Sequence, residues 1–314
     1  MIEEGTMKVV IVGSGMMGSG IAARSALAGN QTCLVDLDRE RAERGCRQAR
    51  ACVRELWENE LCGEAQARVA DDLIAAEDDL VTALEGCGMV IEAIVEDLAA
   101  KQKLFAELDR LTPQGVPVLS NTSGLRITEI ASGAVCHPER TATAHFWFPA
   151  HLVPLVEVVM WDRTDPEIAE QVKRELRRWG KAPVIVKKDL PGQLANRILQ
   201  AVIREASNIV EMGLAEPEDV DMAVKMGMGI RFPVWGPLEH VDGVGVDLCL
   251  KVQDTVLPGI SGRTEANDTF RDMVKQGNLG FKSGKGFYDW SCKDMAALEK
   301  KRNDFIIYRS EEHT

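Results

Sequence analysis

Short apolar runs separated by longer amphipathic stretches set the rhythm of the first 190 residues. Val9–Val12 is an uninterrupted β-branched run, the pattern of a strand buried on both faces. The same texture returns at Thr32–Val35, Met89–Val95 (M-V-I-E-A-I-V), Pro117–Leu119, Ala142–Phe148, Leu155–Met160 and Pro183–Val186. Between these runs the spacing predicts helices over Ser19–Leu27, Arg39–Glu60, Leu98–Leu108 and Pro166–Trp179. In the second of them Val53, Leu56 and Trp57 recur at helical intervals. Strands alternating with helices predict an α/β fold with a parallel, doubly wound sheet. The texture changes at Lys187–Gly192, where Asp189, Pro191 and Gly192 punctuate the chain. Beyond it, Gln193–Met212 reads as one long amphipathic helix, with Leu194, Ile198, Val202, Ile209 and Met212 near one stripe, and strand signals largely stop. The expected division is therefore a sheet domain over residues 1–190 and an all-α domain over 191–314, with a ligand between domains.

The first strand runs into Gly13-Ser14-Gly15-Met16-Met17-Gly18, a G-x-G-x-x-G turn that opens an Ala-rich helix. In a Rossmann-type sheet Gly13 makes the tight turn, Gly15 lets backbone approach a pyrophosphate, and Gly18 lets helix pack on strand. The helix N-terminus supplies N–H groups to the phosphates. The second apolar run ends in Asp36, 23 residues after Gly13. A carboxylate there binds the adenosine ribose hydroxyls and repels a 2′-phosphate, so the expected cofactor is NAD rather than NADP.

Composition narrows the classes further. With 37 basic and 49 acidic residues the net charge is −12, and no basic block appears, which argues against a nucleic-acid partner. Eight scattered cysteines without a C-x-x-C pair read as reduced thiols of a cytoplasmic protein, with no metal site expected. No secretion signal or membrane span is read in the chain. The partner is expected to be a small molecule.

Among five histidines, His145 closes an apolar strand, and Glu157 sits on the next one, twelve residues on. A histidine beside a buried carboxylate is an acid–base unit, because the carboxylate fixes the tautomer and stabilises the imidazolium. Oxidation of an alcohol with NAD needs such a base. Spacing alone equally allows a core histidine bonded to backbone.

Further motifs keep that pair company: S-N-T-S-G-L at Ser120–Leu125, P-G-x-x-x-N-R at Pro191–Arg197, and G-F-K-S-G-K-G-F-Y-D-W at Gly280–Trp290. Together with H-F-x-x-P and L-V-E-V they resemble the L-3-hydroxyacyl-CoA dehydrogenase family, whose relatives include L-gulonate 3-dehydrogenase (lambda-crystallin) and carnitine dehydrogenase. The resemblance spans about residues 7–290. It implies His145 as general base, Glu157 as its orienting carboxylate, and Ser123 and Asn196 as polar contacts to the substrate oxygen. On the cofactor side it implies Gly13 to Gly18, Asp36, Glu96, Lys101, Ser123 and Lys282. It also implies a homodimer formed through the helical domain.

Departures from the family pattern bear on the substrate. Where the family reads H-F-F-N-P, this chain has His145-Phe146-Trp147-Phe148-Pro149, so Phe148 replaces an asparagine. The serine and lysine that contact CoA in the CoA-using members correspond here to Cys52 and Asn59. Gly229-Ile230-Arg231-Phe232 places an arginine where the gulonate-type relatives have one, and Arg231 is expected to clamp a free carboxylate. Pro149-Ala150-His151-Leu152-Val153-Pro154 also resembles the gulonate type, with His151 a weaker candidate for a substrate contact, whereas the G-F-Y-D-W tail resembles the CoA-using members. The preferred expectation is an NAD-dependent dehydrogenase of a free 3-hydroxy acid. The alternatives are an L-3-hydroxyacyl-CoA dehydrogenase and a catalytically silent NAD-binding protein of the lambda-crystallin kind.

Overall fold

Strand β1 (Lys8–Val12) lies inside the sheet because it has two apolar faces to bury. Val9 and Ile11 pack into one core with Ile21, Ala22 and Ala26 of the helix Met16–Leu27. Val10 and Val12 pack into a second core with Phe105 and Leu108 of the helix Leu98–Leu111. The remaining strands are β2 (Gln31–Val35), β3 (Ile74–Glu77), β4 (Cys87–Glu92), β5 (Val118–Ser120), β6 (Thr141–Phe146), β7 (Leu155–Val159) and β8 (Ala182–Val186). They form one eight-stranded sheet in the order β3-β2-β1-β4-β5-β6-β7-β8. The first six positions reproduce the dinucleotide-binding order 3-2-1-4-5-6, with its reversal of winding beside β1. The computed structural model describes residues 6–311.

The sheet is mostly, not wholly, parallel. Strand β7 runs antiparallel to β6, and β8 is parallel to β7. Only residues 147–154 join β6 to β7, whereas a parallel return needs a crossover of a dozen residues or more. The short link therefore forces the reversal, which sets His145 directly opposite Glu157. Strand β3 has the sequence I-A-A-E, too poor in β-branched residues to stand out from the preceding helix Glu64–Leu73.

The chain divides into two compact units, Met1–Leu194 together with Lys300–Thr314, and Ala195–Glu299. This corrects the expected assignment of everything beyond 190 to one helical domain. The helix Met295–Glu311 begins in the second unit and ends in the first, where Ile307, only 7% exposed, joins the first core. The second unit is built from helices including Ala195–Glu211, Pro217–Ala223, Pro237–Val244 and Val246–Val256. Its described β-structure is confined to two isolated bridges, Gly280 with Lys285 and Lys285 with Asp289.

Candidate active site

The G-x-G-x-x-G turn leaves β1 as expected, and its glycines are demanded by space. Gly13 has φ +104°, and a Cβ there would meet the Ala93 carbonyl oxygen at 2.5 Å. A Cβ at Gly18 would meet Gly13 O at 1.9 Å, whereas Gly15 faces open space. Asp36, just past the end of β2, accepts from the Ser14 N–H (2.8 Å) and hydroxyl (2.6 Å). Partial burial opposes its charge, but these Ser14 bonds outweigh that and hold its pKa below the usual carboxylate value. Gly13, Ser14, Gly15, Asp36, Leu37 and Arg41 line a cleft of about 600 Å³.

The residues present fit a dinucleotide. Helices Arg39–Glu58, Leu98–Leu111 and Pro166–Arg178 are capped by the Asp38, Asp97 and Asp165 side chains. The helix Met16–Leu27 has no side-chain cap and no acid in its first turn. Its first N–H groups therefore remain available to an anion beside Gly15.

A second cluster organises the loop after β5. Glu92, wholly buried at the end of β4, accepts from Lys101 Nζ (2.5 Å), the Ser120 hydroxyl (2.6 Å) and the Ile94 N–H (2.8 Å). Lys101 also pairs with Glu96 at 3.3 Å. Glu96 Oε1 in turn accepts from the Thr122 hydroxyl (2.6 Å) and the N–H groups of Ser123 (3.1 Å) and Gly124 (2.9 Å). Desolvation works against the Glu96 charge, but the Thr122 hydroxyl, the Gly124 N–H and Lys101 together keep its pKa below the ordinary value. Lys101, expected to touch the cofactor, is only 1% exposed. Its amine pairs with two carboxylates, which ties it to Glu96 and through Glu96 to the loop that carries Ser123. Sequence reading missed Glu92, although an acid inside an apolar run was a visible signal of a buried partner.

His145 and Glu157 meet across the β6–β7 pair, with Nδ1 of the imidazole 2.7 Å from Oε2. Both are buried. Glu157 Oε2 also accepts from Trp147 Nε1 (3.0 Å), and Oε1 from the Leu194 N–H (2.9 Å). A carboxylate gripped by these donors is fixed in direction and leaves Nε2 of His145 as the ring nitrogen available for proton transfer. Neighbouring bonds lock the surroundings. The Phe146 N–H donates to Asn121 Oδ1, Gln193 Nε2 donates to Thr122 O, and the Thr128 N–H donates to Asp189 Oδ2. The S-N-T-S-G loop, the end of β6 and the segment 189–194 are thus one hydrogen-bonded assembly.

Comparison with known proteins agrees with this architecture over nearly the whole chain. Residues 8–190 match the NAD-binding domain of 3-hydroxyacyl-CoA dehydrogenase, and residues 192–290 match the C-terminal domain of the same enzyme. The chain belongs to the 3-hydroxyacyl-CoA dehydrogenase family. It is thereby an NAD-dependent oxidoreductase acting on CH–OH groups. Similar family members include a probable 3-hydroxybutyryl-CoA dehydrogenase of Bacillus subtilis, 37% identical over 91% of this chain and 98% of that protein. Another is the 5-formyl-3-hydroxy-2-methylpyridine 4-carboxylate 5-dehydrogenase of Mesorhizobium japonicum, 32% identical over 94% of each chain. A crystal structure of a dehydrogenase of that pyridine carboxylate, described as an NAD+-dependent dismutase, has a TM-score of 0.87. It is 30% identical and covers 96% of this chain and 97% of that one.

Within this family the remaining site residues can be placed. Asn196 lies in the first turn of the helix Ala195–Glu211, half-buried. Arg231 is exposed and donates from Nε to Gly227 O (3.3 Å). Lys282 is exposed in the glycine-rich tail segment. These three belong to the second unit, whereas Ser123, His145 and Glu157 belong to the first.

His151 is not available to substrate. It is buried, with Nε2 2.9 Å from Glu55 Oε2, and its carbonyl accepts from Arg24 Nε (2.5 Å). Burial lowers its pKa below 6.5, against the opposing pull of Glu55. The unfolded chain therefore binds this proton at a higher pH than the folded one, and stability falls as pH drops below about 6.5. His151→Gln is expected to flatten that decline, measured as urea midpoints between pH 7.5 and 5.

Proposed function

We propose that the protein oxidises the hydroxyl of a free 3-hydroxy carboxylic acid to the 3-oxo acid, with His145 as general base and Glu157 as its orienting partner. The observation that carries the reading is the 2.7 Å contact between these two side chains on adjacent strands in an NAD-binding chain. NAD, when bound by Gly13–Gly18 and Asp36, supplies the hydride acceptor. His145 Nε2 takes the hydroxyl proton. Glu157 holds Nδ1 and stabilises the imidazolium that results. Ser123 and Asn196 orient the oxygen, Glu96 holds the loop that carries Ser123, and Lys282 serves the cofactor side. Asp36 disfavours a 2′-phosphate.

Three features support a free acid over a thioester: Phe148 in place of asparagine, and Cys52 and Asn59 where CoA-using members have serine and lysine. Cys52 is buried, and Asn59 donates to the carbonyl of Glu55, so neither offers itself to a phosphate. The pyridine-carboxylate dehydrogenase is named for a substrate that carries a carboxylate and no CoA. Arg231 is the sequence's candidate for a cationic partner of the substrate carboxylate. The second reading, a 3-hydroxyacyl-CoA dehydrogenase, is favoured by the G-F-Y-D-W tail and by the 3-hydroxybutyryl-CoA relative.

The test is NADH formation from 3-hydroxybutyrate and from 3-hydroxybutyryl-CoA under the same conditions. A larger kcat/KM for the free acid is expected, and much faster turnover of the thioester overturns the preference. The helical unit exposes Met222, Met226, Phe232, Trp235 and Leu238. We further propose that a second copy covers this apolar surface in a homodimer and that the enzyme works in the cytoplasm. Among the described residues no helix is long and apolar enough to cross a membrane.

A further inference from the structure

The family match ends at residue 290, and the helix Met295–Glu311 lies beyond it. Its last turns are anchored in the first unit, with Ile307 in the core and Ile306 packed against it. This anchoring brings Arg302 over the face of Phe148, with the guanidinium carbon 5.6 Å from the ring centroid. Phe148 is three residues past His145, on the link between the strands that carry His145 and Glu157. It stands where the family pattern has an asparagine, and half of its surface is exposed.

We infer that Arg302, in place of the sequence's candidate Arg231, determines substrate class by receiving the carboxylate of a free acid at the link between β6 and β7. Four observations converge. Among the described residues no carboxylate lies within ion-pairing distance of Arg302. Its Nε and one terminal nitrogen both donate to Asn303 Oδ1, at 3.2 and 2.9 Å. A guanidinium has five N–H groups, so donors remain for an incoming anion. Stacking on Phe148 holds the planar group without consuming its edge donors. The aromatic at 148 thus has a physical reason: it exchanges a hydrogen-bonding amide for a platform that fixes a cation. A bidentate arginine suits a carboxylate and finds no equivalent anion in a thioester carbonyl.

This inference rests on the free-acid reading and deepens it, and the experiment separates the two. Kinetics of wild type, Arg302→Met and Arg302→Lys are measured with NAD and with 3-hydroxybutyrate, L-gulonate and 3-hydroxybutyryl-CoA. Thermal midpoints of all three proteins are recorded alongside. For Arg302→Met, KM for the better free acid should rise roughly 10- to 100-fold. Its kcat should change little, and its KM for NAD and for the thioester should be unmoved. Arg302→Lys should recover part of the loss.

An unchanged KM in Arg302→Met, with the free acid turned over well by wild type, overturns the role of Arg302 and leaves the proposed function standing. Parallel loss on acids and thioester together, or a collapsed midpoint in both Arg302 variants, also overturns it, because that marks a merely structural arginine. Wild type that uses only the thioester, or none of the three, overturns the free-acid reading and this inference together.

Discussion

Replacing His145 by Gln lowers kcat by two orders of magnitude or more, while the thermal midpoint and NADH affinity stay close to wild type. The size follows from the role. A positioned general base contributes about 10²–10⁴ in rate, and a glutamine amide can donate to Glu157 but cannot take a proton at neutral pH. The same geometry that makes His145 the proposed base makes its replacement structurally mild. Its ring sits at the end of β6, where Glu157 remains held by Trp147 and the Leu194 N–H. Steady-state NADH formation and fluorescence titration with NADH check the two halves of the expectation. A variant with near-full turnover removes His145 from the chemistry.

The largest expected loss of stability lies at Lys101. Lys101→Met leaves Glu92 with a carboxylate that is wholly buried and has lost its cation. Breaking a buried ion pair by removing one partner costs about 3–5 kcal/mol. At about 2–4 °C per kcal/mol for a unit of this size, the midpoint should fall by roughly 6–20 °C. The second consequence is local. Glu96 loses its ammonium partner and the Ser123 loop loses part of its anchor, so KM for NAD should rise as well. Glu92→Gln combined with Lys101→Met removes the stranded charge and should recover most of the midpoint, because a neutral amide costs far less to bury than an unpaired carboxylate. Calorimetry of the two variants and wild type decides this. A single variant as stable as wild type contradicts the buried pair.

The sheet was legible because its strands are buried on both faces and therefore apolar throughout, as Val9–Val12 illustrates. The glycine turn was legible for a different reason: Gly13 and Gly18 admit no Cβ, so the sequence has no freedom there. Strand β3 escaped because three of its four residues, Ala75, Ala76 and Glu77, carry little strand preference. The reversal at β7 was implicit in the length of the 147–154 link, which is too short for a parallel return, yet it emerges only when the strand ends are known.

In the candidate site, His145 and Glu157 were readable as residue types on neighbouring strands, but their register is a property of the ladder. The burial of Lys101 was not legible, because a lysine in a first helical turn ordinarily points to solvent. Its burial depends on Glu92, nine residues earlier in sequence, which composition alone does not connect to it. The return of the C-terminal helix to the first unit rests on Ile307 and its neighbours, a short apolar signal that a local reading assigns to the nearest domain. Arg302 gained its place only through that return.

The account stands on His145 and Glu157 working as one unit, and a double-mutant cycle measures that most directly. Wild type, His145→Gln, Glu157→Gln and the double variant are compared by single-turnover NADH formation. Residues that act through one another give strongly non-additive losses. The double variant is therefore predicted to be no slower than His145→Gln alone, because Glu157 acts only through the imidazole. Losses that multiply, or a Glu157→Gln variant as fast as wild type, would show that the 2.7 Å contact is not the working part of this enzyme.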